Sequence, residues 1–128
     1  MNPPRDAMLE IAKKYVKNSY APYSNIRVSS VAFGCGKLYP GVNVENSSYG
    51  LTICAERSAI FRMVSEGCKR LDAILVYSED VDPYPCGACL QVISEFASGD
   101  VPIRIVGPNV DVIERLSSLL PKAFKLEG

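Results

Sequence analysis

The chain has no histidine. That removes the side chain whose ordinary pKa lies near neutrality, and with it the commonest imidazole metal ligand. Hydrolytic chemistry here must therefore rest on carboxylates, thiolates and a metal. Net charge is missing too, since 14 Lys and Arg balance 14 Asp and Glu. Such a surface has no electrostatic footprint for nucleic acid or an anionic membrane, so a small neutral ligand is the expected partner. No apolar run approaches the roughly 18 residues of a membrane span. The opening Met1-Asn2-Pro3-Pro4-Arg5-Asp6 lacks the charged-then-apolar layout of a secretory leader. These absences predict a cytoplasmic protein with its thiols kept reduced. Repeats, low-complexity segments and linkers are absent as well. The 128 residues, 48% of them apolar, are expected to form a single domain over 1–128. Zero net charge gives little colloidal repulsion, which favours self-association.

What is present reads as alternating elements. Pro3-Pro4 opens a helix on which Met8, Ile11, Ala12, Tyr15 and Val16 recur at helical spacing, until Ala21-Pro22-Tyr23 breaks it. Val28 to Phe33 and Leu38 to Val44 read as strands joined at hairpin length by Gly34-Cys35-Gly36. Thr52 is placed to cap a helix from Cys54 to Glu66, closed by Gly67. Ala73 to Tyr77 has the continuous apolar character of a buried strand. A helix over Cys86 to Ala97 and strands over Val101 to Val106 and Val110 to Ile113 follow, with Ser117 placed to cap a last turn. This order predicts an α/β fold: a three-layer α-β-α arrangement around a five-stranded mixed sheet. The strand–helix–strand unit from Ala73 to Val106 is expected to be a parallel crossover. The second and third helices should then start near one end of the sheet.

The chain holds five cysteines, an odd number that favours metal or redox chemistry over a disulfide framework. Cys86 and Cys89 stand three apart at a helix start, so both thiols can reach one tetrahedral ion. Pro85 suits a first helical turn, and free backbone N–H groups there lower thiol pKa values. Cys54, at another helix start, can complete three ligands and leave a fourth position for water. Glu56 lies two residues on. That offset faces the same site only if Cys54 sits at the very end of its helix. A C-x-x-C pair alone also suits a structural zinc site or a redox dithiol. Cys35 and Cys68 read as ordinary small residues.

Five segments resemble the zinc-dependent cytidine deaminases of the small homotetrameric type. They are Tyr20-Ala21-Pro22-Tyr23-Ser24, Gly41-Val42-Asn43-Val44-Glu45-Asn46, Cys54-Ala55-Glu56-Arg57, the run from Pro85-Cys86-Gly87-Ala88-Cys89 to Glu95, and Leu119-Leu120-Pro121-Lys122-Ala123-Phe124. The resemblance in order and spacing covers nearly the whole chain. It includes an all-cysteine ligand set beside a glutamate that is not a ligand. By that resemblance the fold is cytidine deaminase-like, and Cys54, Cys86 and Cys89 hold one zinc ion per subunit. Glu56 shuttles protons while zinc-bound hydroxide attacks C4 of the base. Asn43 and Glu45 hold the ribose 3′-hydroxyl, with Val44 between them, and the Ala55 N–H meets the pyrimidine carbonyl. Arg57 offsets thiolate charge behind the ligands. Phe124 and Tyr49 match positions that serve a neighbouring subunit's site, which implies a homotetramer with shared active sites. Ile26 departs from a common aromatic and implies aliphatic contact with the base. Ser29 and Ser30 depart from smaller residues.

The function so implied is hydrolysis of cytidine and deoxycytidine to uridine and deoxyuridine, a pyrimidine-salvage reaction. A rival is deamination of a nucleoside antibiotic of the blasticidin S type, against which Glu45 argues as a ribose-gripping carboxylate. A nucleic-acid editing enzyme would want a basic excess that is missing. A structural zinc-binding module would need a fourth protein ligand, from Cys35 or Cys68 if from any cysteine.

Overall fold

The computed structural model describes residues 2–126. Side-chain alternation sets its layers. Val31 and Phe33 of β1 (Val28–Gly34), with Leu75 and Tyr77 of β3 (Ala73–Ser78), meet Met8, Ala12 and Val16 on one face. Met8 and Ala12 belong to α1 (Arg5–Tyr15), and Val16 opens the 3-10 turn that follows it. Ala32, Ile74 and Val76 point the other way and pack with Ala59, Ile60 and Met63 of α2 (Ala55–Ser65) and Ile93 of α3 (Gly87–Phe96). Burial on both faces explains why β3 reads as an unbroken apolar run.

Completed by β2 (Lys37–Val42), β4 (Pro102–Val106) and β5 (Asp111–Arg115), the sheet has five strands in the order β2-β1-β3-β4-β5. Only β3 and β4 run parallel, with Ile74 opposite Ile103, and the other pairs are antiparallel. The expected three-layer, mixed-sheet architecture is therefore the observed one. Gly41 sets how closely β2 lies on α2, because a Cβ there would stand 2.2 Å from the Ala59 nitrogen. Ser29 and Ser30 are fully buried, yet their hydroxyls donate to the carbonyls of Ala12 and Leu75 at 2.7 Å each. These two departures therefore join α1 to β1 and β1 to β3.

Several expectations need correction. The strand expected to reach Val44 ends at Val42, and Val44 exchanges backbone hydrogen bonds with Ile53 in an isolated bridge. Cys54, not Thr52, is the N-cap of α2, while the Thr52 hydroxyl accepts the Asn46 N–H at 3.2 Å. Ser117 lies inside α4 (Leu116–Leu119), where its N–H and hydroxyl both donate to Asp100. A carboxylate distant in sequence thus supplies the cap expected from serine.

The largest correction concerns Cys35 and Cys68, which form a disulfide rather than standing as separate small residues with reduced thiols. The hairpin tip is a two-residue loop with positive φ at Cys35 (52°) and Gly36 (71°), the type I′ geometry that suits strand twist. Gly34 lets this tip press on the chain leaving α2, since a Cβ there would lie 2.1 Å from the Arg70 carbonyl oxygen. Packing makes the pair adjacent across 33 residues of sequence, a proximity that spacing alone does not display.

Candidate metal centre and adjoining pocket

Helices α2 and α3 begin at the same end of the sheet, as expected, and their N-caps are Cys54 and Cys86. Cys54 has extended backbone (φ −73°, ψ 156°), so it stands outside the helical spiral and the offset to Glu56 ceases to matter. Cys86 caps α3 through sulfur, which accepts the Cys89 N–H at 3.5 Å. The Sγ atoms of Cys54 and Cys86 lie 4.0 Å apart and those of Cys86 and Cys89 3.5 Å apart. All three fall within 4.8 Å of one another, the one such gathering of three or more potential ligands among the described residues.

This donor set fits zinc. Tetrahedral bonds near 2.3 Å place sulfurs ~3.8 Å apart, within the observed spread. Cys35 and Cys68 are bonded to each other, so neither is available as a fourth ligand. Three sulfurs leave one coordination position for a water or substrate, the pattern of a catalytic site.

The electrostatics favour a cation. Hydrogen bonding from Cys89, helped by the Arg57 guanidinium, lowers the Cys54 thiol to about 5 against the opposing effect of burial. The same sulfur–sulfur hydrogen bond, together with burial, pushes Cys89 up. A divalent ion held by all three sulfurs would displace any proton they carry. Arg57 donates from Nη2 to the Cys54 sulfur at 3.5 Å, while its Nε is buried with no partner among the described residues.

Glu56 is only 4% exposed and lines a pocket of about 240 Å³ that also touches Cys54 and Cys86. Burial pushes its carboxyl up to about 7, with the Cys54 charge adding and Arg57 opposing. A carboxyl of that kind can take up or release a proton near neutrality. Ala55, fully buried at the first position of α2, lines the same pocket and carries a helix-start N–H with no partner inside the helix.

The other expected site residues divide. Asn43 reaches the pocket. Its side-chain oxygen accepts from Val28 N–H and the Ser19 hydroxyl, and its nitrogen donates to the Ile26 carbonyl at 2.8 Å. Its second amide hydrogen has no partner among the described residues. Glu45 lies in an adjoining hollow of about 250 Å³ with Tyr23, Ser24 and Tyr49, and Thr52 borders both spaces. Its carboxylate accepts from the N–H groups of Tyr23 and Ser24 and from the Ser24 hydroxyl, the hydroxyl being the main cause of its lowered pKa. Tyr49 is 77% exposed and meets Tyr23 edge-on, with centroids 6.2 Å apart. Ile26, Val44 and Phe124 are all partly or largely exposed and do not line the pocket. The Phe124 carbonyl accepts from Gln91 on α3 at 3.0 Å.

Sequence reading passed over a further part of the lining, formed by Val28 at the start of β1 and by Val81, Asp82, Pro83 and Tyr84 before α3. The available signal was position, since those four residues run straight into Pro85-Cys86.

The resemblance noted in the sequence is borne out by comparison with known proteins. Residues 3–105 match the family model described as the cytidine and deoxycytidylate deaminase zinc-binding region. A cytidine deaminase of Sporosarcina psychrophila is 38% identical over 95% of this chain and 92% of its own length. One from Halalkalibacterium halodurans is also 38% identical, over 96% of each chain. The crystal structure of a cytidine deaminase from Burkholderia pseudomallei, 36% identical, superposes with a TM-score of 0.87 over 97% of this chain and all of that one. With these matches and its cysteine-lined pocket, the chain belongs to the cytidine and deoxycytidylate deaminase family.

Proposed function

We propose that this chain, acting as one domain, catalyses the hydrolytic deamination of cytidine and deoxycytidine to uridine and deoxyuridine, with release of ammonia. The supporting observation is the trio of sulfurs at two helix starts, opening onto a pocket where the buried carboxyl is Glu56. Cys54, Cys86 and Cys89 hold one zinc ion per subunit, which supplies Lewis acidity able to lower the pKa of a water to about 7. Glu56 accepts the proton that water loses and delivers it to ring nitrogen N3. It then carries the second proton to the departing amine. The Ala55 N–H binds the pyrimidine carbonyl, and Arg57 tempers the charge of the three sulfurs.

The free amide hydrogen of Asn43 donates to the sugar, and Glu45, already fixed by Ser24, accepts from the 3′-hydroxyl across the Thr52 border. Neither contact needs a 2′-hydroxyl, so both sugars fit. Ile26 and Val44 serve as base and sugar contacts, and Tyr49 and Phe124 reach a neighbouring copy's site, in a homotetramer with shared sites. Pyrimidine salvage in the cytoplasm is the matching role, and no helix among the described residues is long and apolar enough to cross a membrane.

The test is loss of cytidine ultraviolet absorbance with zinc-analysed protein, beside deoxycytidine, blasticidin S and a cytosine oligonucleotide. Turnover of the two free nucleosides alone is expected. Preference for blasticidin S or the oligonucleotide, or full activity without metal, overturns the reading.

A further inference from the structure

We infer that Asp82 is a positioning residue, which clamps the segment between β3 and α3 onto the β4–β5 turn and so fixes the pocket wall that receives the nucleoside. This rests on the deaminase reading above. The segment carries Pro83 and Pro85, whose nitrogens cannot donate, so few backbone hydrogen bonds are available to hold it. Its entry is secured by Ser78, whose hydroxyl donates to the Arg27 carbonyl at 2.7 Å and accepts the Asp80 N–H at 3.1 Å. Asp80 in turn accepts the Arg27 N–H at 2.9 Å.

Beyond that point the tie is Asp82. Its Oδ1 accepts the Asn109 N–H at 2.9 Å, and its carbonyl accepts the Tyr84 N–H at 3.0 Å. The contact depends on Gly107. A Cβ there would stand 2.5 Å from Asp82 Oδ1, 2.7 Å from Asp82 Cα and 2.9 Å from the Val81 carbonyl oxygen. The turn that carries Gly107 is closed by its N–H on the Val110 carbonyl at 2.9 Å. A firm turn and a short carboxylate thus hold residues whose other sides line the pocket, ending at Tyr84, two positions before Cys86.

A wall that contacts ground state and transition state alike changes KM rather than kcat. In the zinc-loaded full chain, Asp82→Ala is expected to raise KM for cytidine about tenfold with kcat little changed. Zinc content should be unaltered. Asp82→Asn keeps an acceptor oxygen and should recover most of the lost affinity, while Gly107→Ala, which pushes the same segment from below, should reproduce the rise in KM.

Amide hydrogen exchange over residues 81–86 gives a readout that needs no substrate, and it should quicken in Asp82→Ala. An unchanged KM, a loss of melting temperature without a change in KM, an Asn variant as impaired as Ala, or unchanged exchange each overturns the inference. If the parent protein fails to turn over cytidine, the deaminase reading falls by itself, and exchange still decides whether Asp82 holds the segment.

Discussion

The two ends of α2 both bring cysteines together, with opposite results. At its N-terminus Cys54 meets Cys86 and Cys89, their sulfurs 3.5 to 4.0 Å apart along the connected pairs and unbonded, with Arg57 beside them. Past its C-terminus Cys68 closes a disulfide with Cys35 at the hairpin tip. Eleven residues of helix separate the two groups, roughly 16 Å at 1.5 Å per residue. A helix N-terminus stabilises negative sulfur, and two such termini converge on the first group. At the second group the chain leaves the helix and the tip simply presses against it. An odd total of five cysteines thus resolves into three and two by location: a cluster of free thiols whose spacing suits a metal, and a cross-link.

The strongest way to break the contrast is at Glu56, the proposed proton carrier. Glu56→Gln, which keeps the shape, and Glu56→Ala should each lower kcat about 10²- to 10⁴-fold. Zinc content should stay at the parent level, because Glu56 is absent from the sulfur trio. Steady-state kinetics with elemental analysis checks both halves. Near-parent turnover, or zinc lost in step with activity, would erase the separation of ligand and proton carrier.

At the other end the expected loss is in stability. Replacing Cys35 and Cys68 together by serine opens a link spanning 33 residues. Chain entropy puts the cost at ~3–4 kcal/mol, readable by urea unfolding of the zinc-loaded protein. Cytidine turnover at temperatures where the variant remains folded should stay within about twofold, given a helix length of separation. A large drop in kcat would mean the two ends communicate.

How far the sequence could reveal this follows the same division. The trio was legible because a C-x-x-C pair and a C-x-E each advertise a helix start, and the element order brings both starts to one end of the sheet. The layers were legible from the unbroken apolar run of β3 and the turns around it. The disulfide was not, because Cys35 and Cys68 meet through packing at Gly34, and nothing local marks either as paired. The caps failed for a related reason. Thr52 and Ser117 have good capping chemistry, but Asn46 and Asp100, brought in by tertiary structure, claim their polar atoms first. The pocket wall from Val81 to Tyr84 was harder to read because Asp82, its one charged residue, is tied to a turn 27 residues further on, and locally only its place before Pro85-Cys86 pointed to the site.

A smaller expected effect sharpens the electrostatic side of the comparison. Arg57→Ala removes the guanidinium that donates to Cys54 and should weaken zinc binding or activity about 10- to 100-fold. Zinc competition with a chromogenic chelator measures it. Arg57→Lys should recover little, since a point charge cannot reproduce the planar donor set. An affinity unchanged in both variants would leave the sulfur trio dependent on helix termini alone.

The smallest effect comes from the same residue type near the other end of the helix. Arg62 donates to Glu66 at 2.9 Å in an i,i+4 pair, and both side chains are 50% exposed. Water already solvates most of that charge, so Arg62→Ala should cost only ~0.3–0.5 kcal/mol. Urea unfolding at low and at high salt checks it, with the difference shrinking as salt screens the pair. Arg57 and Arg62 sit five positions apart on one helix. One is wedged against a sulfur with its Nε shut off from water, the other is open to solvent. If Arg62→Ala were to disturb zinc affinity as much as Arg57→Ala, the distinction would be one of total helix charge rather than of contact. The expected hundredfold gap at most, with none of it arising from Arg62, assigns the effect to the hydrogen bond on Cys54.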